Sequence, residues 1–190
     1  MDWILASASP RRKELFSKLV ETFDIIPATG EEKANCALSP AELVCALAKA
    51  KAEEIACLST AKGKWILGAD TVVAFGNEIL GKPKDEADAF RMLKLLSGNT
   101  HDVYTGVCII GEKHGKRVEI CTFDKSVVAF ENLIDEKIKE YIQSGSPMDK
   151  AGAYGIQDGG LVKEIQGSYS NIVGLPMELC ERLINELKND

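Results

Sequence analysis

The chain has 190 residues, 45% hydrophobic and 27% charged, which describes one soluble globular domain over residues 1–190 with a core of its own. A formal net charge of −6 at pH 7 argues against sequence-independent binding to nucleic acid or to an anionic membrane, so an anionic ligand has to be met by a local basic cluster. No apolar run approaches the ~20 residues of a membrane span, and acidic Asp2 with few apolar residues after it does not open a secretory signal, so a cytoplasmic protein is expected.

The apolar run Trp3 to Ala6 predicts a short strand that enters the turn Ser7-Ala8-Ser9-Pro10. Ser9 reads as a helix N-cap and Pro10 as the first helical residue, with Leu15, Phe16 and Leu19 on one face. Phe23 to Pro27 predicts a second strand, and Ser39-Pro40 opens a long helix with Ala41, Val44, Cys45, Ala48, Ala52 and Ile55 on its apolar stripe. Trp65 to Ala69 has the continuous apolar character of a buried strand, which is expected to end at Asp70-Thr71 before Val72 to Phe75 resumes. A turn at Gly76-Asn77, a short strand at Ile79-Leu80 and a bend at Gly81-Lys82-Pro83 precede a helix from about Asp85 to Leu96. Val103 to Ile110 and Val118 to Phe130 predict an antiparallel hairpin. A helix over Ile134 to Ile142, a Gly-rich stretch, a strand at Leu161 to Ile165 and a helix from Pro176 to about Leu187 complete an α/β pattern, with two lobes around a cleft as the expected arrangement. Six cysteines (Cys36, Cys45, Cys57, Cys108, Cys121 and Cys180) lie far apart without a C-x-x-C pair, so free thiols are expected rather than disulfides or a zinc site.

The first predicted helix carries Arg11, Arg12 and Lys13 at its positive end, where acidic side chains are favoured by about 0.3 to 1 kcal/mol each. A bound phosphate would relieve that repulsion, because free backbone N–H groups and paired guanidinium groups both suit phosphate oxygens. The alternative is a solvated basic turn offset by Glu14. Asp70, at the expected end of a buried strand, is the leading base or metal-holding carboxylate, although an aspartate there could simply form a turn. Lys51, Lys82 and the pair Glu31-Glu32 supply the two signs of charge that a magnesium-triphosphate site requires, with ordinary surface charge as the alternative for each taken singly. In Asp149 to Gln157, small residues would let backbone approach a flat ligand, and the Gln157 amide could read a base edge, or the segment could be a plain connector. His101 and His114 have no metal-ligand spacing and are expected at the surface in or near turns; the cysteines have no evident histidine partner for thiol chemistry.

Together LASASPRRKEL, GADTVV, ILGKP, LSGNTHDVYTGV, SGSPMDKAGAYGIQ and GSYSNIVGLP, in that order along practically the whole chain, resemble the Maf family of nucleoside triphosphate pyrophosphatases. The resemblance implies an α/β fold with a mixed, twisted sheet flanked by helices and two lobes around a deep cleft, similar to the inosine triphosphate pyrophosphatases. It implies cleavage between the α and β phosphates with a divalent metal (Mg or Mn), in a cytoplasmic and often homodimeric protein. GADT with AYGIQ looks like the branch that acts on dTTP, UTP and related modified pyrimidine nucleotides. By resemblance, Asp70 matches the proton acceptor; Arg11, Thr71 and Gln157 match positions tied to substrate choice. Ser7, Arg12, Glu32, Lys51 and Lys82 fall on motif positions tied to phosphate, metal or catalysis, with Ser9 beside them as the cap. The reading assigns Asp70, Lys82 and Lys51 to catalysis, Ser7, Ser9, Arg11, Arg12, Thr71 and Gln157 to substrate binding, and Glu32 with Asp70 to the metal. The chain departs from the family pattern at Asp158-Gly159-Gly160, a shorter link with an acidic residue where glycine is usual. The rival expectation is a nucleotide-sensing regulatory protein linked to septum formation that does not hydrolyse its ligand.

Overall fold

The computed structural model describes residues 1–30 and 38–189, so Glu31, Glu32 and Cys36 lie outside the described residues. Seven strands form one mixed sheet in the order β2-β1-β3-β5-β6-β7, with β4 paired to β3. These are β1 (Trp3–Leu5), β2 (Phe23–Ile25), β3 (Trp65–Phe75), β4 (Glu78–Leu80), β5 (Thr100–Lys113), β6 (Lys116–Phe130) and β7 (Val162–Gln166). The helices are α1 (Pro10–Phe16), α2 (Pro40–Ala56), α3 (Glu86–Leu96), α4 (Asp135–Gln143), α5 (Tyr169–Val173) and α6 (Met177–Asn189). β1 runs parallel to both β2 and β3, with Leu5 level with Ile25 and with Leu67. β4 is antiparallel to β3, and β7 to β6.

The chain divides into two compact units. The first comprises Met1–Asp70, Thr105–Asp124 and Gly174–Asp190. Its strands alternate strictly, as the two-residue period of a pleated strand demands. Trp3, Leu5, Trp65, Leu67, Ala69, Val107 and Ile109 pack with Phe16 and with Leu179, Leu183 and Ile184 of α6. Ile4, Ala6, Ile66, Cys108 and Ile110 point the other way and pack with Ala48, Ala52 and Ile55 of α2. Both faces are covered, which is why these strands read as unbroken apolar runs.

The second unit comprises Thr71–Tyr104 and Lys125–Val173. Its core joins Val73, Leu80 and Val103 with Leu93 and Leu96 of α3, Ile138 and Ile142 of α4, and Tyr154. The helices begin where their caps say they should. Ser39 forms a reciprocal capping box with Glu42, and Asp85 accepts from the backbone N–H of Asp88.

The fold departs from expectation at Asp70 and at two cysteines. β3 does not break at Asp70 but continues to Phe75, because pairing with β1 before it, pairing with β4 after it and a lysine partner outweigh the poor strand propensity of aspartate. Cys108 and Cys121 are joined in a disulfide rather than free, with Cα atoms 4.2 Å apart. The two-residue turn at His114 (φ 51°) and Gly115 (φ 74°) sets the β5–β6 register that brings these cysteines face to face. Cys45, Cys57 and Cys180 are free as expected, and burial pushes the Cys180 thiol up to about 12.

Candidate active site

Asp70 follows Ile66 and Gly68 on the β3 face turned toward α2. The helix lies unusually close to the strand at this point. A Cβ added at Gly68 would stand 2.3 Å from the Ala48 carbonyl oxygen, and one at Gly106 of β5 would stand 2.3 Å from that of Val44. Both glycines therefore let α2 rest on backbone, and Lys51, on the same helix, reaches Asp70 with Nζ 2.5 Å from Oδ1. Asp70 is only 6% exposed, so this is a nearly desolvated ion pair set in the middle of a strand.

Ser7 follows β1, and the bond from the Ala6 N–H to the Leu67 carbonyl carries the β1–β3 register beyond Leu5. Two further residues along, that register puts Ser7 level with Ala69, next to Asp70. The buried Ser7 hydroxyl accepts from the backbone N–H of Ser9 at 3.2 Å and from Arg12 Nη1 at 3.4 Å. Ser9 caps α1 by accepting from the Arg12 N–H. Arg12 Nε donates to the Gly174 carbonyl at 2.8 Å, which ties α1 to the segment before α6. The guanidinium of Arg12 is thus fixed rather than splayed into solvent, and Arg11 is half-buried beside it.

Within the first unit hydrogen bonds join Ser7, Ser9 and Arg12 in one group and Lys51 with Asp70 in another, and the β1–β3 register relates the two. Thr71, Lys82 and Gln157 belong to the second. Thr71 is half-buried, whereas Lys82 and Gln157 are exposed. The Gly152 N–H donates to the Gly81 carbonyl at 3.0 Å, so the loop bearing Lys82 is pinned to the segment that leads to Gln157.

Several residues that matter locally escaped the sequence reading. His101 is not a surface residue; it is 3% exposed, hydrogen-bonded through Nε2 to the Tyr154 hydroxyl at 2.8 Å, and edge-on to Phe130. Alternation along β5 carried the signal, since His101 shares its parity with buried Val103, Thr105, Val107 and Ile109. His114 does occupy an exposed turn, as expected. Glu54, one turn after Lys51, accepts from the backbone N–H groups of Thr29 and Gly30 at 2.7 and 2.9 Å, and these bonds hold its carboxyl below the usual range. Among the described residues, no three His, Cys, Asp or Glu side chains group to hold a metal, and no helix is long and apolar enough to cross a membrane.

A mixed α/β sheet with charged side chains just beyond the end of β1, where its parallel pairing with β3 stops, is the class of protein that holds ligands at strand ends. The chain belongs to the Maf family: the family described as Maf-like protein matches residues 2–187. It is 48% identical to a dTTP/UTP pyrophosphatase of Agathobacter rectalis, covering 97% of this chain and 95% of that protein. It is also 48% identical to a dTTP/UTP pyrophosphatase of Thermococcus gammatolerans, covering 95% and 94% respectively. Among solved structures, the Staphylococcus aureus Ham1 protein aligns over 98% of this chain and 100% of its own, with a TM-score of 0.52 at 14% identity, which is a likeness of fold.

Proposed function

We propose that this protein hydrolyses dTTP, UTP and related modified pyrimidine nucleoside triphosphates to the monophosphate and pyrophosphate. The observation that carries the reading is the Lys51–Asp70 pair, a carboxylate kept in a nearly dry position beside the capped, arginine-bearing turn, in a chain so similar to proteins named for that activity. Arg11, Arg12, Lys51 and Lys82 meet the phosphate charge, Ser7 and Ser9 shape the turn that receives it, and Thr71 with Gln157 selects the base. Lys51 occupies Oδ1 of Asp70, which leaves Oδ2 as the proton acceptor. The oxygen of a water adds to phosphorus, its proton passes to Asp70, and the bond to the bridging oxygen breaks to release pyrophosphate.

One carboxylate beside an ammonium does not make a protein-built cage, but it suits a magnesium or manganese ion that arrives on the triphosphate and takes only one or two protein carboxylates. Asp70 and Glu32 would hold that ion, which when bound neutralises phosphate oxygens. The proposal includes a cytoplasmic homodimer that binds no nucleic acid.

Pyrophosphate release from UTP with magnesium tests hydrolysis; binding without product would instead support the nucleotide-sensing alternative. Asp70→Asn is expected to lower kcat for UTP by well over tenfold while changing nucleotide affinity much less. A rate within about tenfold of wild type, worth roughly 1.4 kcal/mol of barrier, would remove Asp70 from the role of base.

A further inference from the structure

Gln157 sits in a short turn, Ile156–Asp158, in which only half-buried Ile156 packs against the core and no side chain is fully buried. Its two flanks are further gripped by one hydroxyl. Tyr141, on α4, accepts a hydrogen bond from the Gly155 N–H at 2.9 Å and donates one to Asp158 Oδ2 at 2.5 Å. The same carboxylate oxygen accepts from the Ser146 hydroxyl at 2.6 Å, and Ser146 is in turn held by Lys150, whose Nζ donates to its carbonyl and its hydroxyl. The packing inside this bracket is tight: a Cβ at Gly155 would lie 2.7 Å from Asp158 Oδ2 and 2.8 Å from Lys150 Cε. Burial, and then the Asp158 carboxylate, push the Tyr141 phenol up, so it stays a donor throughout the range in which the protein works.

An amide is a two-faced reader. Uracil and thymine present an N–H donor beside carbonyl acceptors, whereas cytosine presents a ring acceptor beside an amino donor, and a glutamine free to turn over satisfies either pattern. Discrimination therefore requires that the chain on both sides of Gln157 be fixed. We infer that Tyr141, through a hydroxyl that holds Gly155 and Asp158 at once, is a positioning residue for Gln157 and thereby sets discrimination among pyrimidine bases. This rests on the proposed reading in which Gln157 faces the base. It also accounts for the acidic residue at 158: a glycine there would leave the Tyr141 and Ser146 hydroxyls without their shared acceptor.

The test compares kcat/KM for UTP and CTP in wild type, Tyr141→Phe, Gln157→Ala and the double variant, with thermal melting of each. Phenylalanine keeps the ring and removes only the hydroxyl. Tyr141→Phe is expected to lower the UTP/CTP ratio about three- to tenfold, the range for losing a hydrogen-bonded pair, with a smaller effect on kcat for UTP. In the Gln157→Ala background the same change is expected to add nothing to the loss of discrimination. Asp158→Ala severs the bracket from its other side and is expected to give the same loss. If Gln157→Ala lowers the ratio but Tyr141→Phe leaves it within twofold, or reduces both substrates equally, the bracket has no positioning role. If Gln157→Ala itself leaves the ratio unchanged, the base-facing assignment fails and the inference falls with it.

Discussion

Asp70 and His101 are both polar groups held almost out of water, and they are kept there by opposite means. Asp70 is met by a cation, Lys51, so its burial costs less than it would alone, and removal of either partner would leave an uncompensated charge. His101 is met by a neutral hydroxyl and two aromatic edges, and its Nδ1 has no partner, so burial lowers it to about 4 against the opposing pull of the Asp102 carboxylate. A histidine with a depressed value binds its proton in the unfolded chain and not in the folded one. Its stabilising contribution is therefore complete above about 6.5 and is lost as pH falls from there toward about 4. Over that window the loss amounts to about 3 kcal/mol, from ~1.36 kcal/mol per unit. His101→Phe keeps a ring against Phe130 and Tyr154 and takes up no proton. Denaturant melts of wild type and variant across pH 4 to 7 should show a steeper decline for wild type by about that amount, whereas parallel curves would mean that His101 charges freely in the native state.

At the scale of the element, α2 does most to build the site. It must approach β3 and β5 closely enough for Lys51 to reach Asp70, and the two glycines without which backbone would clash, Gly68 and Gly106, stand on those two strands. Gly68→Ala is expected to force α2 outward, costing about 3 kcal/mol as an overpacked contact. It should also slow UTP turnover by roughly a hundredfold, since about an ångström of misplacement is enough to do so. A variant with wild-type melting temperature and rate would show that the close approach is not needed. Helices α1, α2 and α3 were legible in the sequence and their caps are local, since Ser9, Ser39 and Asp85 each bond a backbone N–H three residues on, whereas the short α5 (Tyr169–Val173) was not foreseen. The strands were less legible where distant partners decide the outcome. The sequence suggests a break at Asp70 because aspartate is a poor strand former, and nothing local announces that Lys51, 19 residues earlier, will neutralise it. The Cys108–Cys121 disulfide was hidden for the same reason, since 13 residues of separation match no motif and only the hairpin register makes them opposite.

For the molecule as a whole, the motifs that carried the family resemblance are divided between two compact units, each with its own core. The basic turn, Lys51 and Asp70 lie in one unit, and Lys82 and Gln157 in the other, and the first crossing of the chain between them falls at the peptide bond between Asp70 and Thr71. Motif order along the chain could reveal neither this boundary nor the strand order, because β3, β5 and β6 each contribute residues to both units. The division does make the proposed assignments separable by experiment. A ligand that binds only the native state stabilises it by mass action, about 2.7 kcal/mol at a hundred times Kd, and the residues it orders lose amide exchange. Asp70→Asn, saturated with UTP and magnesium, should therefore hold intact nucleotide long enough for hydrogen exchange to be read. If Arg12 and Lys51 bind phosphate while Gln157 reads the base, amides around Ser9 to Arg12 and around Gly152 to Gln157 should both slow. Slowing confined to the first unit would leave phosphate binding intact but sink the assignment of base selection to Gln157. Slowing confined to the second would deny the arginine-bearing turn its ligand, and with it the reason for three cations at the start of α1.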